Sequence, residues 1–359
     1  MEKSVHAAVC VKVVGVGGGG GNAISRMAEG RARGLELIAI NTDVQALRLI
    51  GDFPTLAIGP SATGGMGSGG DADVGRKAMR ESSQQVAQLL EGADLVFITA
   101  GMGGGTGTGA VPVVAEIAKK QGALTVAVVT TPFSFEGILR REVAAKGLAL
   151  VEQKVDTLIT VENDRLLSSL DGSVSLDKAF RLADEVLRQG VQGISEVITE
   201  PGLVNVDFAD VKAVMKDAGR SFMSVGEGRG KSAATDAVRA ALSNPLFDAP
   251  IKGAEGVLLN IRGGKDLQLG QVQEVASVVR DATQSQTRII FGVVKDPKWK
   301  RRVSVTLVAT GVEARKEADV SGLIGAAVGA GAGHIISRPP KTATNGRTAH
   351  AVAGVHKML

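Results

Sequence analysis

Gly101-Met102-Gly103-Gly104-Gly105-Thr106-Gly107-Thr108-Gly109 decides the fold of this chain, together with Gly15-Val16-Gly17-Gly18-Gly19-Gly20-Gly21-Asn22. Each stretch follows an apolar run of strand character and precedes a run of helical character. Glycine has no Cβ, so its backbone can turn with positive φ and close its N–H groups around anionic oxygens, helped by the positive end of the following helix. Taken singly, either run reads equally well as a linker or a close-packed turn. The strand–glycine–helix setting shared by both predicts a site for a nucleotide with several phosphates. Neither run is a P-loop, and the nearest candidate, Gly226 to Ser232, has Val225 where the opening glycine should stand.

Composition narrows the class. With 359 residues, 44% apolar and 22% charged, the chain can bury two cores and is not a disordered segment. One cysteine, Cys10, sits in the first apolar run and reads as a buried inert thiol, with no disulfide framework. His6, His334, His350 and His356 have no metal-ligand spacing. The longest weakly apolar run, Leu323 to Ile336, is too short to span a bilayer, and no leader is expected before the first strand near Val9. A cytoplasmic location follows as an expectation. The net charge of +4 is carried by Arg338, Lys341, Arg347 and Lys357 in a segment without acids, so the body is neutral and nucleic acid is not an expected partner. The Lys298-Trp299-Lys300-Arg301-Arg302 cluster reads as a solvated loop between strands.

Periodicity predicts strands at Val9–Val16, Leu37–Ile40, Leu95–Thr99, Leu124–Thr130 and Thr157–Val161, with helices at Asn22–Ala28, Val74–Leu90, Val111–Lys120 and Glu136–Val151 between them. That alternation is an α/β, doubly wound parallel sheet, with a third glycine loop, Gly64 to Gly70, on the same edge as the first two. A long helix at Leu176–Gln192 then leads to a smaller α+β region: helix Phe208–Met215, strand Ser221–Val225, helix Ala233–Leu242, strand Gly256–Ile261, helix Leu269–Thr283, and strands Arg288–Val294 and Arg302–Thr310.

One rival competes. Gly15 to Gly20 satisfies G-x-G-x-x-G, and Asp43 closes the second strand where a dinucleotide fold would bind ribose, so an NAD-dependent oxidoreductase is the alternative. That reading leaves the second and third glycine loops without a role.

Gly15–Ala23, Asn41-Thr42-Asp43, Gly103–Gly109, Thr131-Pro132-Phe133-Ser134-Phe135-Glu136-Gly137 and Asn205-Val206-Asp207-Phe208-Ala209-Asp210 together resemble the FtsZ family, the tubulin-like GTPases of the division ring, over about residues 9–312. The resemblance implies a GTP-binding domain at 1–175, a central helix and connector at 176–202, a C-terminal α+β domain at 203–312 and a flexible basic tail at 313–359. It implies that Gly18, Gly19, Gly20, Gly21 and Asn22, with Gly105, Thr106 and Gly107, hold the phosphates of GTP or GDP. It places Glu136 and Arg140 at the ribose, Asn163 and Asp184 at guanine, and Phe180 stacked on the base. The chemistry suits guanine, because a carboxylate needs donors and guanine N1–H and N2 supply two, whereas adenine N1 is unprotonated. On the residues alone, Glu136–Arg140 remains open as a surface ion pair, Phe180 as a core residue and Asp184 as a solvated helix position.

Asp207 and Asp210 open the predicted helix, and on the residues alone they read as an N-cap and a first-turn acid. The resemblance implies instead that Asn205, Asp207 and Asp210 complete the active site of the next subunit by orienting water. It also implies head-to-tail homopolymers, hydrolysis that needs assembly, and Mg2+ held through the phosphates. A filament component without turnover is the second alternative. Possible further partners are a sister filament protein and ring-anchoring proteins, and the place of work is the division site, or the plastid stroma if a transit peptide has been removed. Two departures flank the site: Asp71-Ala72 stands where the family usually has Asn-Pro, and Glu162 stands where proline is common. The basic tail lacks the acidic and apolar end through which relatives bind adaptors.

Overall fold

The computed structural model describes residues 9–312 except 31–33, 169–173, 201, 245–250 and 284–285; the tail read at 313–359 lies outside the described residues. Ten strands are present among them: β1 (Val11–Val16), β2 (Leu35–Asn41), β3 (Thr55–Ala57), β4 (Leu95–Gly101), β5 (Leu124–Thr131), β6 (Thr157–Glu162), β7 (Gly219–Arg229), β8 (Gly256–Gly263), β9 (Arg288–Lys295) and β10 (Arg302–Thr310). They form one sheet in the order β3-β2-β1-β4-β5-β6-β7-β10-β8-β9. From β3 to β7 every pairing is parallel, β10 runs antiparallel to both β7 and β8, and β8–β9 is parallel again. The two regions read from the sequence therefore share a sheet, joined at the short parallel pairing of Thr157–Ile159 with Gly219–Ser221.

Side chains alternate across a strand, and here both faces are covered. Val14, Val16, Ile38, Ile98 and Val129 pack on one side with Ala78, Val111, Val114 and Ala115, from the helices Ala72–Glu81 and Gly105–Lys120. Val11, Val13, Phe97, Val126 and Val128 pack on the other with Ala23, Ile24 and Met27 of helix Gly17–Glu29 and with Leu187, Val191 and Ile194 of the long helix. That long helix runs Leu176–Thr199, a turn or more beyond the expected end. This is the doubly wound arrangement expected, and it places the ends of β1, β4, β5 and β6 on one edge.

Several bounds differ from the sequence reading. The helices expected at Asn22 and Val111 begin at Gly17 and Gly105, inside the glycine runs. Glycine is a poor helix former, but first-turn amides have no intrahelical partner in any case, and space decides here. A Cβ on Gly20 would lie 2.4 Å from the Thr99 carbonyl oxygen, and one on Gly105 would lie 2.3 Å from Ser68 Oγ. The helix expected over Val74–Leu90 is two, Ala72–Glu81 and Ser83–Leu90, broken at Ser82, whose hydroxyl accepts the Gly59 amide at 3.0 Å. The helix expected from Glu136 starts at Ile138, because Gly137 sits at φ 100° between it and a 3-10 turn, Ser134–Glu136. Cys10 is half-buried just before β1, and burial together with nearby Glu36 pushes its thiol pKa up, which keeps it a weak nucleophile.

Candidate functional site

The carboxyl ends of β1, β4, β5 and β6 open into a cleft of about 460 Å³. One end of it is walled by Gly17, Gly18 and Gly19 after β1 and by Gly104, Gly105, Thr106 and Gly107 after β4. A Cβ on Gly18 or on Gly104 would meet no protein atom within 4 Å, so these glycines present bare backbone to open space. The loop is held in shape from behind, where buried Thr108 accepts the Gly103 amide at 2.8 Å. First-turn amides of two helices thus converge on one volume, a ready anion site. Ser68 of the third glycine loop lines the same end, and that loop is tied down by the Gly67 amide on the Thr42 carbonyl at 3.2 Å.

At the other end the wall is aromatic and polar. Phe133 stacks on Phe135 with centroids 5.0 Å apart, and Phe180 meets Phe133 edge-on at 5.3 Å. Phe133 is fully buried, but Phe180 is 40% exposed and lines the cleft, so it is not a core residue. Asn163 is buried there, and its Oδ1 has no hydrogen-bond partner among the described residues. Asp184, also buried, is paired with Arg26 across 3.1 Å. Burial pushes the Asp184 carboxyl above its ordinary range, against the pull of Arg26 and the more distant Arg181. Asp184 is therefore not a solvated helix position. An orphaned amide oxygen and a carboxylate beside an exposed ring fit a planar base with N–H donors on its edge.

Glu136 and Arg140 both line the cleft and form an ion pair at 2.6 Å, with Glu136 also accepting the Phe133 amide at 2.9 Å. The ion-pair reading and the position at the cleft hold together. Asn22 lines the cleft; Gly20 and Gly21 do not, being buried in the helix that packs on the sheet.

The description "Tubulin/FtsZ family, GTPase domain" matches residues 10–171, and "FtsZ family, C-terminal domain" matches residues 219–313. An empty FtsZ dimer from M. jannaschii is 41% identical with a TM-score of 0.83, covering 87% of this chain and 94% of that one. The chain belongs to the FtsZ family. A mutant FtsZ from M. jannaschii is 44% identical with a TM-score of 0.81, over 85% of this chain and 92% of that one. CetZ2 from Haloferax volcanii, solved as a GTPγS-bound protofilament, shares the fold at 22% identity and a TM-score of 0.73, over 89% of this chain and 98% of that one.

The FtsZ family is one of GTPases with a filament-forming fold, and the oxidoreductase alternative is not supported. The structure gives the reason at Asp43. Its carboxylate is not offered to a ribose but caps the helix Val44–Arg48, accepting the Gln45 and Ala46 amides at 2.8 and 3.1 Å. The two departures from the FtsZ pattern are also accounted for locally. Asp71 caps helix Ala72–Glu81 through the Asp73 and Val74 amides, and Glu162 pairs with Arg165 at 2.6 Å.

The acidic loop is elsewhere. Asp207 occupies the N-cap backbone position of helix Phe208–Met215, yet its side chain makes no capping hydrogen bond, which corrects the capping reading. Asp207 and Asp210 are exposed, and neither carboxylate has a hydrogen-bond or ion-pair partner among the described residues. Asn205 is exposed and accepts the Gly202 amide at 2.7 Å. The helix buries Val211, Val214 and Met215, and its last carbonyl, on Met215, accepts the hydroxyl of Thr157, the first residue of β6. Asn163 directly follows the last residue of that strand. The helix that carries the acids thus meets β6 at the end of the strand away from the cleft. Among the described residues, no group of three His, Cys, Asp or Glu could hold a metal ion, and no helix is long and apolar enough to cross a membrane.

Proposed function

We propose that this chain binds and hydrolyses GTP and polymerises head to tail into filaments at the division site, each nucleotide being cut at the junction of two copies. The observation that carries the reading is the separation of parts. From Asp184 to the end of its helix at Thr199 the rise alone is about 22 Å, and the acidic loop lies beyond that end, so one copy's acids do not serve its own cleft. A contact joining the cleft edge of one copy to the acid edge of the next is heterologous and repeats without closing, which makes a filament. Exposed apolar residues lie at both ends for such a contact: Ile138 and Leu139 beside Arg140, and Leu203 near Asn205.

In the reaction, the glycine-loop amides and Thr106 hold the phosphates, while Asn163 Oδ1 and Asp184 accept from guanine and Phe180 covers its face. Asn205, Asp207 and Asp210 of the following copy orient a water in line with the γ-phosphorus. A carboxylate takes the water's proton as the new P–O bond forms and the bond to the β–γ bridging oxygen breaks, giving GDP and phosphate. Mg2+ held through the phosphates would neutralise charge there, without a dedicated protein cage. Sister filament subunits and anchoring proteins, in the cytoplasm or plastid stroma, are the partners this role calls for.

The test is turnover per subunit over a wide dilution series. A threshold below which phosphate release collapses supports the reading; constant turnover per subunit contradicts it.

A further inference from the structure

Behind the phosphate end of the cleft lies a chain of three hydroxyls. Thr42 Oγ1 stands 2.6 Å from Thr106 Oγ1, which stands 3.0 Å from Ser68 Oγ. The three come from separate segments: the turn after β2, the first turn of helix Gly105–Lys120 and the third glycine loop. Thr106 and Ser68 line the cleft, whereas Thr42 does not and has no exposed surface.

A hydroxyl carries one proton and two lone pairs. Among the described residues the Thr42 hydroxyl makes no hydrogen bond other than that to Thr106. If Thr42 accepted from Thr106, its own proton would be buried without an acceptor, which is the costly arrangement. Thr42 therefore donates and Thr106 accepts. The single Thr106 proton is then left for Ser68 or for whatever fills the cleft. An ionised phosphate oxygen is the stronger acceptor, so a bound phosphate draws that proton, and Ser68 turns to donate into the second lone pair of Thr106. Ser68 is held in its loop by its carbonyl, which accepts the Asp71 amide at 3.0 Å just before the next helix begins.

We propose that Thr42 is a positioning residue for phosphate binding, its sealed hydroxyl aiming the Thr106 proton into the cleft. The proposal rests on the reading of the cleft as a nucleoside triphosphate site.

The test titrates GTP and GDP into the full chain and into Thr42→Val, Thr42→Ser, Thr106→Val and the Thr42→Val/Thr106→Val double variant, with melting temperatures recorded alongside. Removing the donor in Thr42→Val weakens binding about ten-fold, Thr42→Ser stays within about two-fold of the original, and the Thr42→Val loss vanishes once Thr106 is already valine. A merely structural Thr42 would instead lose affinity equally in both backgrounds, and that result, or unchanged binding in Thr42→Val, overturns the proposal. Binding of neither nucleotide by the unaltered chain overturns the underlying reading as well, and is distinguishable because it appears before any substitution is made.

Discussion

Arg26 Nε lies 3.1 Å from Asp184 Oδ2, a contact between two helices 158 residues apart in sequence. It opposes the effect of burial on the carboxylate proposed to read the base. Burial raises the Asp184 pKa, and Arg26, with help from Arg181, offsets part of that rise; Glu136 and Arg140, which also line the cleft, form an ion pair of their own. An acid whose pKa is raised on folding is still protonated in the folded state where the unfolded chain has ionised, so its ionisation opposes folding as pH rises through that window. In the proposed site, guanine binding needs the ionised form.

GTP affinity is accordingly expected to fall as pH drops through the Asp184 pKa. In Arg26→Met the fall moves toward neutral pH, because burial then acts unopposed by its nearest counter-charge. Nucleotide titrations from pH 5 to pH 8 check this. Superimposable pH profiles for the two proteins would contradict it.

Asp156 makes the opposite stability prediction. Burial alone would raise its pKa, but the Thr125 amide and hydroxyl, both at 2.8 Å, and Lys119 at 2.9 Å outweigh burial and hold it below the ordinary range. A depressed folded-state pKa contributes stability that is full above the unfolded pKa and is lost as pH falls through the folded one. Asp156→Asn removes a buried, hydrogen-bonded charge that ties β5 to β6, at a cost of about 2–3 kcal/mol at neutral pH. Denaturant unfolding at pH 7 and pH 3 should show that difference shrinking with acid.

Two glycines separate packing from binding. A Cβ on Gly109 would lie 1.9 Å from the Ala72 carbonyl oxygen, whereas one on Gly18 would meet nothing. Gly109→Ala should destabilise by about 2 kcal/mol or more through forced separation of two helices. Gly18→Ala should melt like the original but bind GTP more weakly, since its methyl stands in the phosphate space. A melting curve and a titration on each distinguish the two roles, and a Gly18→Ala variant with full GTP affinity would count against the phosphate cradle.

Asp210→Ala should lower phosphate release about a hundred-fold or more while leaving GTP affinity of the isolated chain unchanged, because the acid helps only in the transition state. A matching loss of affinity would place the acid in its own copy's cleft.

Much of this was legible in the residues. The glycine runs announce themselves because few uses other than close backbone approach call for so many, and helices Phe208–Met215 and Ala233–Leu242 have the predicted bounds because their apolar period is regular. The start of a helix inside a glycine run was not, because propensity argues against it and only the proximity of β4 and Ser68 requires it. Arg26 and the Thr42–Thr106–Ser68 hydroxyls carry no local signal, since each meets its partner only through the fold. Trp299 was likewise hidden in a basic cluster read as solvated; the Arg262 and Arg302 guanidiniums both lie over its ring, 5.1 and 4.6 Å from its centroid. Asp207 misled in the other direction, because the sequence of a cap does not reveal whether the side chain turns onto the helix.

The shared active site is tested most directly by complementation. Asp210→Ala chains keep an intact cleft but lack an acid; Asp184→Asn chains keep the acids but exchange the guanine acceptor for an amide suited to xanthine, which presents a carbonyl where guanine has its amino group. Neither chain alone should release phosphate from labelled GTP. Mixed in equal amounts with GTP and XTP, they should restore hydrolysis of the labelled GTP to about a quarter of that of the unaltered chain, the share of random junctions with a GTP cleft facing an intact acid. Filaments that contain both chains yet release no labelled phosphate would contradict the account.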